Sequence, residues 1–516
     1  MSNPFTSPLA LSTDAYKVSM AAAGAGHSEL EGFYLSFRQL PEGWRGLYNP
    51  IDFGSFLAAS VTDTEYLEKY VEWLKQFGFP VDVDTLFMAE QLSQLEIVYA
   101  LPQGEWVLPR EPILTVKGPR AAASWIEPVV VGSASYMMQV ATLAQMVADA
   151  SPTSPESDRL WGELRTRLAT VTCAEQRAIT HRALLETDLD PGRVDYLMEN
   201  MVVDSDGYYD RVQIQCSKLL ETGVSPSRIF EVGLRAATCM SQHMIALMAI
   251  RDMGFTMTSN MWGAYLERMR PVGTLGHEGI MRFGSFDNMA FDEHIKVLPK
   301  VVMLLDTNDT EKVGLPTAFE MMEMNPDRQD GVRPDSGDLS AQFRSFVAEM
   351  EKRKGRLGYR DWIFEDGLDE VKMAQFEALR EELGYPKEHT LYGLGGFFID
   401  RPEPTGFRRG RISMVYKLCW TDLFGPAMKF GNEAEEGASG KRSIPGLPVL
   451  AVNPDAKNPV IVAQSGCLPE GYVEYSYGDY VHRKEWGQVR PTFDEMTMDL
   501  IQDCVEKRNG IIEANS

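Results

Sequence analysis

An arginine, a serine and two aspartates crowd into GVRPDSGDL at residues 331–339. The fork of Arg333 can hold a carboxylate or phosphate through two parallel hydrogen bonds, while Asp335 and Asp338 can face ribose hydroxyls or Mg²⁺. The same string also reads as a plain turn in which Asp338 caps the following helix. His277 stands in GTLGHE at 273–278, and a lone histidine is more often structural than catalytic. Asp306 and Asp309, in LLDTNDT at 304–310, are the candidate metal ligands, although with His277 and Glu278 they show no recognised ligand spacing.

Two further segments have phosphate-binding chemistry. YGLGGFF at 392–398 puts Gly393, Gly395 and Gly396 where backbone amides can approach a phosphate, though glycines in a tight turn are as common. GASGKRSIPG at 437–446 lacks the four-residue interval of a nucleotide-binding P-loop. Lys441 within it, and Lys429 of PAMKFG, are candidate phosphate ligands whose bland reading is surface lysine.

These residues need elements to position them. VVMLLD at 301–306 and DWIFED at 361–366 are buried-strand runs ending in acids, and TLYGLGGFF starts a third strand at Thr390. Between them, the run after Asp338 and LDEVKMAQFEALREELG at 368–384 have helical spacing, the latter with Leu368, Val371, Phe376, Leu379 and Leu383 on one stripe. Alternating strands and helices predict a parallel sheet or barrel whose C-terminal rim collects the acids and glycines. The first ~150 residues instead show aromatic and alternating runs such as EGFYLSFR, which predict an antiparallel sheet beside helices. DASPTSPESD at 149–158 has the composition of a boundary.

The 516 residues are 44 % hydrophobic, enough for more than one domain with a substantial core. A net charge of −24 argues against nucleic-acid or anionic-lipid partners held by a general field, so an anionic small molecule needs a local basic pocket. The longest apolar candidate, 121–144, is broken by Glu127 and Pro128, and no membrane span is expected. The opening MSNPFTSPLALSTD does not read as a signal peptide, and the six cysteines lack metal or disulfide spacing, so a cytoplasmic location with reduced thiols is expected.

RPDSGD resembles a signature of the nicotinate and nicotinamide phosphoribosyltransferases. The resemblance extends over TDAYK from Thr13, EGFYLSFR, the proline- and glycine-punctuated run at 102–119, EVGLRA at 231–236, TSN at 258–260, GTLGHE, LLDTNDT, EDGLDE and KRSIPG, in the family's order from about residue 11 to about residue 450. It implies an α/β fold: an irregular βα barrel of the type II phosphoribosyltransferase kind, with an α+β open-sandwich domain built from the N-terminal and C-terminal segments. The expected divisions are 1–155, 156–410 and 411–516.

The resemblance also implies roles. His277 would accept a phosphoryl group from ATP, which requires one free imidazole nitrogen while Glu278, Asp306 or Asp309 orients the other. Tyr16 would stack on a pyridine across a homodimer interface, giving shared active sites. Arg235, Thr258 and Ser259 would contact substrate, Asp366 would lie near the ribose, and Gly395 and Gly396 near the 5′-phosphate. Asp335 and Asp338 would meet ribose or metal, and Arg333 the pyridine carboxylate or a phosphate. Phosphoribosyl pyrophosphate is the implied sugar donor, with Mg²⁺ and with ATP as co-substrate. Ser259, where the nicotinamide branch has an aspartate, favours nicotinate, with nicotinamide as the alternative and a non-catalytic ligand-binding relative of the same fold as the reading from another class. One departure stands out: TVTCAEQR at 170–177 lacks an expected arginine near Ala174, and Arg177 is the nearest substitute. The segment 187–227 matches nothing in the pattern.

Overall fold

The computed structural model describes residues 7–23, 28–58, 64–430, 442–455, 458–463, 468–475 and 491–515. Lys441 lies outside the described residues.

The runs that end in acids and glycines become a seven-stranded parallel sheet: β1 (Ile229–Glu231), β2 (Met257–Thr258), β3 (Arg270–Pro271), β4 (Val302–Leu304), β5 (Gly331–Arg333), β6 (Asp361–Phe364) and β7 (Thr390–Leu394). Their spatial order is β3-β2-β1-β7-β6-β5-β4, with all neighbours parallel. The Leu275 N–H donates to Val302 O at 3.0 Å, tying the chain that leaves β3 to β4 at the opposite edge. The sheet is thus curled into a half-barrel.

Helices cover its convex face because their apolar stripes need the burial. Phe343 and Phe346, from helix Leu339–Leu357, pack on Trp362 of β6 with ring centroids 5.3 and 5.0 Å away. In helix Glu370–Glu382 the stripe differs from the expected one: Val371 is 58 % exposed and Met373 is fully buried. Met373, Phe376 and Leu379 recur every third residue on the inward face, and Val371 falls two residues off it. The unexplained 187–227 segment holds helices Pro191–Asn200 and Ser205–Leu220, and the second buries Tyr208, Val212, Cys216 and Leu219 in the core of the parallel sheet.

A five-stranded sheet stands beside the half-barrel. Its spatial order is Gly425–Pro426, Val415–Thr421, Leu30–Ser36, Leu114–Pro119 and Glu96–Ala100, with all pairs antiparallel. The chain therefore returns at Val415 to pair with an N-terminal strand. The apolar side chains of residues 155–201 also join this first core, not the core of the parallel sheet.

Helix Glu127–Asp149 runs through that core, apolar on nearly every side, as a fully buried helix must be. Its Gly132 lets it approach the turn Leu234–Ala236 closely, since a Cβ there would meet Ala237 O at 2.3 Å. Among the described residues no helix is long and apolar enough to cross a membrane.

Candidate active site

All seven loops leaving the C-terminal ends of the parallel strands converge on one rim, where side chains from distant segments enclose a cavity of about 110 Å³. Arg333 ends β5 and is buried; its Nη1 donates to Asp335 Oδ1 at 3.1 Å and to Glu365, and its Nη2 donates to Leu275 O at 3.1 Å. Burial alone would raise the Asp335 carboxyl, but Arg333, His277 and Lys429 outweigh it and hold it well below the usual range. Asp306 organises the turn: its two oxygens accept the Asp335 N–H at 3.1 Å and the Ser336 hydroxyl at 2.6 Å.

His277 is held at one nitrogen and open at the other. Nδ1 is 3.2 Å from Thr307 Oγ1, while Nε2 makes no hydrogen bond and lies 3.4 Å from Asp335 Oδ2 and 3.7 Å from Asp306 Oδ2. Burial, and then the nearby Lys429 ammonium, lower its pKa, so the imidazole is neutral near pH 7. Thr307 takes the orienting place expected of an acid. Glu278 is engaged instead by Lys17, Ser124 and Arg282, and Asp309 caps the segment after it by accepting the N–H groups of Glu311 and Lys312.

Tyr16 lines the cavity. Its hydroxyl donates to Glu127 Oε2 at 2.9 Å, and the Arg235 guanidinium sits 5.5 Å over the ring. Arg235 also lies 3.5 Å from Glu127 Oε1. Ser259 lines the cavity but donates its hydroxyl to Asp14 Oδ1 at 2.6 Å, and burial raises Asp14 to about 6. Thr258 sits behind the wall, donating to Glu231 Oε2 at 2.6 Å.

A second cavity, about 800 Å³, shares Val232, Arg235, Asp335 and Glu365 with the first. Gly395, Gly396 and Asp366 line it as expected. A Cβ on Gly395 would sit 3.0 Å from Val232 O, so a larger residue would push the two loops apart by a few tenths of an ångström. Five more arginines complete the wall, namely Arg167, Arg401, Arg408, Arg409 and Arg411. They supply the cations missing from TVTCAEQR. Arg177 is not a substitute, because its guanidinium donates outward to Met198 O at 2.7 Å. The run FRRGR at 407–411 was a legible signal, a dense basic cluster in an acidic chain, that motif reading passed over.

Other expected residues separate. Lys429 lines the first cavity, and so does Lys417, which the sequence did not single out; burial and then Lys429 push Lys417 well down. Asp338 is exposed and caps helix Leu339–Leu357 by accepting the N–H groups of Ser340 and Ala341, so it is not brought to either cavity. Among the described residues no three His, Cys, Asp or Glu side chains gather into a metal-binding group. With Asp309 capping and both Asp306 oxygens bonded to the 335–336 turn, that pair does not fit a protein-built Mg²⁺ site.

No family model matches the chain. It is 23 % identical over 430 residues to a nicotinate phosphoribosyltransferase of Bacillus subtilis, an alignment covering 80 % of this chain and 66 % of that protein. A nicotinate phosphoribosyltransferase of Bos taurus is 26 % identical over 465 residues, covering 84 % and 75 %. The crystal structure of the nicotinate phosphoribosyltransferase from Porphyromonas gingivalis superposes with a TM-score of 0.53 at 14 % identity, covering 84 % of this chain and 95 % of that one. By sequence the chain is thus similar to nicotinate phosphoribosyltransferases, and it shares the fold of a solved one.

Proposed function

We propose that this chain joins nicotinate to the ribose of phosphoribosyl pyrophosphate, releasing nicotinate mononucleotide and pyrophosphate for NAD salvage. The observation that carries this reading is the junction of two unlike cavities: a small one of mixed charge opens, at Asp335, Glu365 and Arg235, into a larger one walled by arginines. The pyridine nitrogen attacks the anomeric carbon as the bond to pyrophosphate breaks, and the leaving oxygen takes the electron pair. The sugar is cationic in the transition state, and carboxylates at the junction suit that charge. The arginines suit the phosphates at the two ends of the donor.

Mg²⁺ in this reading arrives on the pyrophosphate, because Asp306 is already engaged by the 335–336 turn and Asp309 by its cap. ATP coupling is supported by the neutral His277: in the tautomer protonated at Nδ1, its Nε2, which makes no hydrogen bond, can take a phosphoryl group, with the nucleoside diphosphate leaving. The type II barrel with its open-sandwich companion, a homodimer and a cytoplasmic location belong to the same proposal; residues 155–201 pack with the open sandwich, so the barrel begins after them and not at 156. One observation favours nicotinamide as a second reading: the Asp14 carboxylate on the wall of the first cavity.

Pyrophosphate release from phosphoribosyl pyrophosphate with Mg²⁺, with either ring and with or without ATP, tests the proposal. Release with nicotinate, stimulated by ATP, is expected, and His277→Ala should lose the stimulation by roughly 10²-fold or more. Release with neither ring would replace transferase by ligand-binding relative.

A further inference from the structure

The loop that follows β4, residues 306–309, is clamped at three of its four positions. Asp306 is engaged by the 335–336 turn, and Asp309 by the N–H groups of Glu311 and Lys312. Asn308 is held twice. Its Nδ2 donates to Ser285 O at 2.8 Å and to Asp287 Oδ2 at 2.6 Å, and its carbonyl accepts Nε and Nη2 of Arg508 at 3.2 and 2.8 Å. Between the clamps lies Thr307, 1 % exposed, with Oγ1 3.2 Å from His277 Nδ1. Arg508 comes from helix Glu495–Ala514, 200 positions further along the chain, and lines neither cavity. It is buried, and its guanidinium lies 4.9 Å over the ring of Phe430, next to Lys429 of the first cavity.

Which imidazole nitrogen keeps the proton depends on where Thr307 is held. Asp335 Oδ2 and Asp306 Oδ2, 3.4 and 3.7 Å from Nε2, draw the proton to that nitrogen and would mask its lone pair. The Thr307 hydroxyl draws it to Nδ1 instead, through a contact that a shift of a few tenths of an ångström would break. We infer that Arg508 is a positioning residue for His277: by fixing the Asn308–Asp309 peptide it keeps Thr307 Oγ1 on Nδ1 and leaves Nε2 bare. This rests on the proposed ATP coupling.

Arginine suits this task. Two N–H groups in one plane meet one carbonyl oxygen, so the peptide is fixed in orientation as well as in place, which a side chain with a single contact does not achieve. The residue before it, Lys507, puts its ammonium 5.5 Å over Phe286 and 5.8 Å over Phe424. Adjacent residues of one helix thus reach the segment after helix His277–Met281 and the loop that orients His277. In the transfer itself Nε2 forms the bond to phosphorus, the bridging P–O bond breaks and the nucleoside diphosphate takes its electron pair. The ring then carries positive charge at Nδ1–H, against Thr307, until that proton leaves.

Nitrogen NMR of the full chain labelled at its histidine rings, with His277→Gln to assign the signal, reads the tautomer directly. In the wild type His277 should be protonated at Nδ1 and bare at Nε2. Arg508→Ala should move half or more of the population to the Nε2–H form, and the stimulation of pyrophosphate release by ATP should fall about tenfold. Arg508→Gln keeps one donor for the carbonyl and should lie between the two in both readouts, which serves if the alanine variant does not fold. Thr307→Val removes the acceptor without touching the C-terminal helix and should reproduce the tautomer shift. A merely structural arginine would lower the unfolding temperature and leave the tautomer alone. That result, an unmoved tautomer in Thr307→Val, or an Nε2–H ring already in the wild type would overturn the inference. The expected tautomer shifts in a chain whose pyrophosphate release ATP never stimulates would leave Arg508 as the positioning residue and sink ATP coupling instead.

Discussion

The first cavity sets five carboxylates against four basic side chains, whereas the second, which shares part of its wall, sets four carboxylates against six arginines. In the first, most charges are already spent on one another: Lys17 and Arg235 on Glu127, Arg333 on Glu365 and Asp335. Such a site is nearly neutral and selects by where its few unpaired polar atoms lie. The second holds surplus positive charge on side chains that are only partly buried, which suits ligands carrying several negative charges. Arg235 lines both.

That contrast can be broken most sharply in the second cavity. Arg409→Ala removes a cation that lines only the arginine wall, and losing one charge-assisted contact should raise the KM for phosphoribosyl pyrophosphate roughly 10- to 100-fold. Pyridine binding measured by calorimetry should stay the same. A comparable loss of pyridine affinity would mean that the two cavities are one site.

Gly132→Ala acts on the shared element. A Cβ there would press on Ala237 O from 2.3 Å and push the turn that carries Arg235, costing about 1–3 kcal/mol of stability by thermal unfolding. Because Arg235 serves both cavities, both substrates should bind more weakly. An effect on one alone would show that Arg235 does not couple them.

The smallest expected change is at Asp338. As a helix cap its replacement by alanine should cost about 1 kcal/mol, with asparagine restoring most of it, since Asn caps equally well. Steady-state kinetics should match the wild type in both variants. A fall in kcat in both, despite restored stability in one, would return Asp338 to the site.

Much of the site was legible because barrel chemistry follows strand ends. Arg333, Asp335, Gly395 and Gly396 stand at or just past the ends of their strands, whereas His277 follows the two-residue strand Arg270–Pro271 by six positions and opens a short helix; all reach the rim. Asp338 and Asp309 carry the same residue type at similar places, yet each sits one turn too far along and caps the segment that follows it. An aspartate before a helix is equally good as cap or ligand, and spacing alone cannot separate the two. Arg177 failed for a related reason: being near the missing arginine in sequence did not aim its side chain inward.

What the sequence by itself determined is local. The alternation of buried strands and amphipathic helices, the acids and glycines at strand ends, and the caps all follow from periodicity and backbone preference within a few residues. The tertiary structure alone decided who meets whom: Thr307 rather than Glu278 on His277, Arg408, Arg409 and Arg411 beside Gly395, and Asp14 beside Ser259 across 245 positions. A hydrogen bond or a shared proton depends on distances of a few tenths of an ångström, and those are set by the packing of the whole sheet, not by any short stretch of chain.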